Sequence, residues 1–117
     1  MPDAADCLFC GIAAKTVPAK VVQETDELVA FHDVRPQAPT HLIVIPKRHI
    51  SRLSDVTEPD AALIGRLIVA ANALARGQGI AESGYRLVLN CNAHGGQTVF
   101  HLHLHVLGGR PMRWPPG

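Results

Sequence analysis

Apolar residues change their spacing several times along the chain, and each change marks an element. AKVVQET and ELVAFHD, residues 19–25 and 27–33, mix β-branched and other apolar side chains and meet at Thr25-Asp26, which predicts a β-hairpin. RPQAPTH follows as a loop, since Pro36 and Pro39 each lack the N–H that a strand ladder needs. HLIVIPK, residues 41–47, is a nearly unbroken apolar run and reads as a strand buried on both faces. From Thr57 to about Gly77 the period lengthens: Ala62, Leu63, Leu67, Ala70, Ala71 and Leu74 recur at helical spacing. Thr57 and Asp60 form a capping box at its start, and Gly77 and Gly79 end it. Arg66 and Arg76 lie off that stripe and are expected in solvent. YRLVLN and VFHLHLHVLG, residues 85–90 and 99–108, are the last two strands, on either side of the polar, Gly-rich loop CNAHGGQT. Near the start, CLFCGIAAKT behind Asp6 as N-cap predicts a short helix that stops before Pro18. The tail 110–117 has no period and is expected to run extended.

The sum is an α+β fold: about five mostly antiparallel strands, one long helix and a short N-terminal helix, in a single domain over residues 1–117. With 47% apolar but only 4% aromatic residues, its core is expected to be aliphatic. Eleven Lys and Arg against ten Asp and Glu give a net charge of +1, with no basic run to hold a nucleic-acid polymer or an anionic membrane. MPDAAD is acidic and no apolar stretch reaches the ~20 residues that span a bilayer, so the expectation is a cytoplasmic protein. Three cysteines, an odd number, fit a reducing compartment better than a disulfide framework. Cys7 and Cys10 stand together as C-x-x-C, without the βαβ context of a redox motif; Cys91 receives no assignment.

FHLHLHVLGG, residues 100–109, holds three of the seven histidines at alternate positions. In a strand His101, His103 and His105 share one face, while Phe100, Leu102, Leu104 and Val106 point to the core. Such a row is compatible with a metal site, with phosphate chemistry, or with three hydrogen-bonded core histidines. Alternate residues lie about 6.5–7 Å apart, so two of them can share a zinc with bonds of about 2.0–2.1 Å, and the third cannot. The preceding loop offers anion donors: Gly95 and Gly96 allow close backbone approach, Gln97 and Thr98 add side-chain groups, and imidazole is a nucleophile near neutral pH.

His-Leu-His-Leu-His-Val-Leu resembles the histidine-triad motif, in which apolar residues alternate with three histidines. LFCGI, AFHDVRPQAPTHLIVIPKRHI and GGQTVFHLHLHVLGGRPMRWPPG extend the likeness over nearly the whole chain, and the GGQT and RWPPG segments resemble the Hint branch, the purine nucleoside phosphoramidases. The resemblance implies a homodimer with a sheet continuous across both subunits. It also implies hydrolysis of the P–N bond in adenosine or guanosine 5′-phosphoramidates and aminoacyl-adenylates. His103 takes the place of the nucleophile and His105 that of the histidine on the phosphate and leaving amine, with His101 and His41 orienting them. Asp33 resembles the carboxylate on the ribose hydroxyls. Phe9, Ile12, His32 and Val34 resemble the walls of a purine slot, and Asn90, Gly96, Gln97 and Thr98 the groups around ribose and phosphate. Trp114 resembles a tail residue that reaches the partner subunit's site. No cofactor is implied for catalysis, but Cys7, Cys10, His49 and His101 resemble the ligands of a structural zinc in some bacterial members. Two other readings stay open: a phosphate or sulfate leaving group, and a purine-nucleotide-binding or scaffold protein without useful chemistry.

Overall fold

In the computed structural model, which describes residues 6–117, five strands make one antiparallel sheet; residues 1–5, most of the acidic opening, lie outside the described residues. The strands are β1 (Val21–Glu24), β2 (Leu28–His32), β3 (Thr40–Pro46), β4 (Tyr85–Val88) and β5 (Leu104–Gly108), in the order β1-β2-β3-β5-β4. The helices are α1 (Leu8–Ala13), α2 (Ala61–Gly77) and a single turn, α3 (Asn92–Gly95), within the loop 89–103. This is the expected α+β arrangement.

The continuous apolar run becomes the central strand because each face of the sheet has its own cover. On one face Leu42 and Val44 join Leu28, Ala30, Leu104 and Val106 beneath Leu63, Leu67, Ala70, Ala71 and Ala75 of α2. On the other, Ile43 and Ile45 join Val29 and Phe31 beneath Cys7, Phe9 and Ile12. Both β2 and β3 therefore bury both side-chain sets, which is why neither shows a polar alternation.

The capping box forms as expected: the Thr57 N–H donates to Asp60 Oδ2 at 3.0 Å, and a 3₁₀ turn over Glu58–Asp60 leads into α2. Asp60 also pairs with Arg48. At the other end Gly79, at φ 74°, allows its N–H to reach the Arg76 carbonyl while the Ile80 N–H reaches that of Ala75, the paired bonds of a Schellman motif. Ile80 is thereby turned into the core against Gly108, where a Cβ would lie 2.5 Å from Ile80 Cδ1. Arg76 is exposed, and Arg66 reaches Glu27 at 2.7 Å.

Some expectations need correction. Asp6 does not cap α1; Cys7 does, its thiol accepting the Cys10 N–H at 3.3 Å. Ala62 is exposed and Leu74 half-buried, while Ala75 completes the buried stripe. The CNAHGGQT loop contains the turn α3, closed by Gly96 in the left-handed region at φ 81°. The last strand begins only at Leu104, so His101 and His103 precede it and Phe100 is half-buried rather than core. The backbone of 97–103 is held by other bonds: the Leu102 N–H donates to the Ile50 carbonyl at 2.6 Å, and the Pro46 carbonyl accepts from a histidine ring.

Among the described residues no helix is long and apolar enough to cross a membrane. Leu67, 2% exposed at the centre of the α2 contact, should be the most sensitive helix position. Leu67→Ala is expected to cost about 2–5 kcal/mol, read as a lower urea midpoint with an unchanged slope.

Candidate functional site

His103 sits on the α1 side of the sheet, just before β5, and is 7% exposed. Its Nδ1 lies 2.7 Å from the carbonyl of His101, two residues back. A carbonyl only accepts, so Nδ1 carries the proton and the Nε2 lone pair is left for chemistry. Phe9 packs edge-on against the ring, centroids 5.1 Å apart, and fixes its plane. Burial pushes the imidazole below its ordinary pKa, opposed by the His101 carbonyl and by Asp33. The ring is therefore neutral at neutral pH.

His105 and His41 are diagonal neighbours across β5 and β3, whose register pairs Ile43 with His105 and His41 with Leu107. The Gln37 N–H donates to His41 Nδ1 at 3.0 Å, which leaves the His41 proton on Nε2. That proton points to His105 Nδ1 at 2.9 Å, and Asp33 Oδ2 lies 3.4 Å from His41 Nε2. His105 then carries its own proton on Nε2. Burial, with His103 and His41 close by, pulls His105 down to about 4, so the chain of rings is uncharged at neutral pH. Asp33 is fixed in turn by the Arg35 N–H on Oδ1 at 2.7 Å.

These groups open on a cavity of about 360 Å³, of a size to take a small ligand. Phe9, Ile12, His32, Asp33, Val34 and Thr98 all line it, together with His103 and His105. A second, shallower hollow of about 730 Å³ adjoins it across His32, Asp33 and Val34 and extends to Lys20, Pro36 and Pro39. Other expected contacts are placed differently. Gln97 is buried and its amide is taken up by backbone: Oε1 accepts from the Asn92 N–H at 2.9 Å, and Nε2 donates to the carbonyls of Ser51 at 2.9 Å and Val99 at 3.1 Å. Asn90 and Gly96 lie in the loop around α3, outside the cavity lining. Trp114 is 82% exposed, its ring 6.0 Å from the Arg86 guanidinium, and does not face the cavity of its own chain.

His101 turns its ring away from the cavity. It is fully buried, its Nε2–H donates to the Pro46 carbonyl at 2.8 Å, and its Nδ1 lies 3.2 Å from Cys7 Sγ and 3.4 Å from Cys10 Sγ. His49 Nδ1 is 3.2 Å from Cys10 Sγ, while its Nε2 meets Ser51 Oγ at 3.1 Å. All four donor atoms lie within 4.8 Å of one another. Ligands bound tetrahedrally at zinc distances are separated by about 3.5 Å for a sulfur and a nitrogen, so the donors fit such an ion in kind and spacing. Burial and the adjacent Cys7 push the Cys10 thiol up to about 11; a divalent cation between the sulfurs would reverse that, since the thiolate is the ligand. Of the triad, His101 joins this cluster while His103 and His105 line the cavity, where the ligand atoms of Asp33, His41 and His105 also lie within 4.8 Å of one another.

Sequence reasoning missed the groups that orient these rings: the Gln37 N–H, the carbonyls of Pro46 and His101, and the Ser51 hydroxyl. Three are backbone atoms with no signature in residue type, and a serine two positions after a histidine is too common to stand out. Leu8 and Pro18, which sequence places only in the first helix and at its end, also line the cavity, as does Val17, which carries no signal of its own.

The HIT domain family pattern matches residues 14–112. The crystal structure of a HIT family hydrolase from Legionella pneumophila superimposes with a TM-score of 0.94 at 54% identity, over 96% of this chain and 100% of that one. That of a Zn-bound histidine triad family protein from Mycobacterium smegmatis gives a TM-score of 0.78 at 31% identity, over 92% of this chain and 78% of that one. An uncharacterised HIT-like protein of Synechocystis is 50% identical over 114 residues, 97% of this chain and 99% of its own length. With the fold, the alternating histidines and these matches in agreement, the chain belongs to the HIT domain family.

Proposed function

We propose that this protein hydrolyses purine nucleoside 5′-phosphoramidates, including aminoacyl-adenylate type substrates, to the nucleoside monophosphate and an amine. The observation that carries the reading is a buried, neutral His103 whose free Nε2 faces a cavity bordered by Asp33 and Thr98. Nε2 attacks the α-phosphorus as the P–N bond breaks, while the Nε2–H of His105, backed by His41, hydrogen-bonds the phosphoryl group and passes its proton to the departing nitrogen, which leaves as the amine. The nucleotidyl-imidazolium so formed keeps its Nδ1–H on the His101 carbonyl, which favours the developing charge. Water then attacks the phosphorus as it gives a proton to His105 Nε2, the P–Nε2 bond breaks, and both His103 and His105 return to their starting tautomers. Asp33 accepts from the ribose hydroxyls, and the purine lies between Phe9, Ile12, His32 and Val34, walls that take a purine face without strong selection between adenine and guanine. The Gly96 backbone, its N–H taken by the Ala93 carbonyl at 3.1 Å, shapes the loop near the phosphate, Asn90 borders the ribose, and Gln97 acts through the loop that it holds.

The reading extends to a cytoplasmic homodimer of a single domain over 1–117. Its support is an apolar outer surface on α2, where Ile68 and Val69 are exposed, together with the open edge of β4. In that assembly Trp114 would border the partner subunit's leaving-group side. Zinc held by Cys7, Cys10, His49 and His101 would be structural, tying α1 to the segment before β5.

In a steady-state assay with adenosine 5′-monophosphoramidate, AMP release is expected, with preference over adenosine 5′-phosphosulfate and diadenosine tetraphosphate. His103→Ala should lower kcat/KM by ~10³ or more; no turnover above that control for any of the three would leave nucleotide binding as the better account. The nucleophile acts as the neutral ring and its pKa is depressed in the fold. The acid limb of kcat/KM against pH is therefore expected below the ordinary imidazole value of about 6.5, and a limb above that value contradicts the geometry. Elemental analysis of protein purified without chelator should give about one zinc per chain; less than about a tenth, with no gain in Tm on adding zinc, removes the metal from the account.

A further inference from the structure

We infer that the Cys7–Cys10–His49–His101 centre is the common anchor of both the nucleophile and the loop beside it, so that metal occupancy sets turnover without the metal touching substrate. The inference rests on the zinc reading and on His103 as nucleophile, and it follows from two sets of contacts that leave the cluster in different directions.

The first runs through one residue. His101 is pinned at three points: Nε2 on the Pro46 carbonyl at 2.8 Å, Nδ1 toward the two sulfurs, and its own carbonyl under His103 Nδ1 at 2.7 Å. Because the ring and the carbonyl belong to the same residue, a rotation of the ring toward or away from an ion turns the peptide that holds the His103 proton. The second runs through Ser51. Its hydroxyl meets His49 Nε2 at 3.1 Å and its carbonyl accepts from Gln97 Nε2 at 2.9 Å, and Gln97 in turn holds the Asn92 N–H and the Val99 carbonyl. Between them the two paths fix both ends of the segment 92–103. Irregular backbone has no ladder to hold it, and outer contacts of this kind change the activity of a metal site by about 10–100-fold.

Gln97 and Ser51 are thus positioning residues. Gln97 is buried with its amide fully used, and neither Ser51 nor Gln97 lines the cavity.

The test compares the full chain loaded with one equivalent of zinc and the same chain stripped by chelator. Imidazole ¹⁵N shifts at one fixed pH read the His103 tautomer, and amide hydrogen exchange reads residues 92–99; neither needs a substrate, so failure of the phosphoramidase reading stays distinguishable. Loaded protein is expected to hold His103 as a single Nδ1–H tautomer. Stripped protein should show averaged shifts, about tenfold faster exchange at 92–99 against unchanged β2 and β3, and a kcat lower by about tenfold at similar KM. A tautomer and exchange pattern indifferent to zinc overturns the inference, as does a chain that takes up no zinc. Where stripping unfolds the chain, Ser51→Ala in loaded protein decides. It should keep its zinc and the His103 tautomer but exchange faster at 92–99, and wild-type exchange there overturns the inference.

Discussion

The hydrogen bond from His103 Nδ1 to the carbonyl two residues back is the contact on which the site depends. In a regular strand that carbonyl would bond to a neighbouring strand or face away, and the ring would stand free with either nitrogen protonated. Bending the carbonyl under the ring requires that the chain not yet be part of the sheet at 101–103. The late start of β5 at Leu104 is thus a condition of the chemistry. The backbone so released is secured by side chains, with His101 on Pro46 and Gln97 on Ser51, Asn92 and Val99.

The sheet supplies the fixed frame. One face carries α2 and an aliphatic core, while the other carries α1, the rings of His41 and His105, and the cavity. Phe9 belongs to both the packing and the site: it meets Phe31 at 5.5 Å, His101 at 6.1 Å and His103 at 5.1 Å, so the short helix that brings Cys7 and Cys10 also closes the nucleophile's wall.

Much of this was legible in the residues. The hairpin, the central apolar strand and the long helix with its capping box and glycine end follow from period and local chemistry, whereas the grouping of Phe9, Ile12, Asp33 and Thr98 with His103 and His105 follows only from the resemblance to the histidine-triad family. What escaped has physical reasons. Alternation continues through 100–106 whether or not a ladder forms, because burial of Leu102 depends on side-chain direction and not on interstrand bonds. Asp6 is the usual cap by residue type, but a thiol already aimed inward for Cys10 and His101 serves the same N–H. Gln97 was read as a ligand contact because polar groups beside glycines often are. Its burial and its three backbone partners come from the fold of 89–103, which no local pattern encodes.

The strand order has a consequence for synthesis. β5 is inserted between β3 and β4, although both precede it in the chain. A nascent chain that has made the hairpin, β3, α2 and β4 still presents the long edge of β3, with Leu42 and Val44 among its most buried residues, to whatever strand arrives first. The segment that fills that gap is the one bearing His105. Closing the edge and completing the reactive constellation are one event, so an emerging chain is exposed to mispairing for as long as it is also inert.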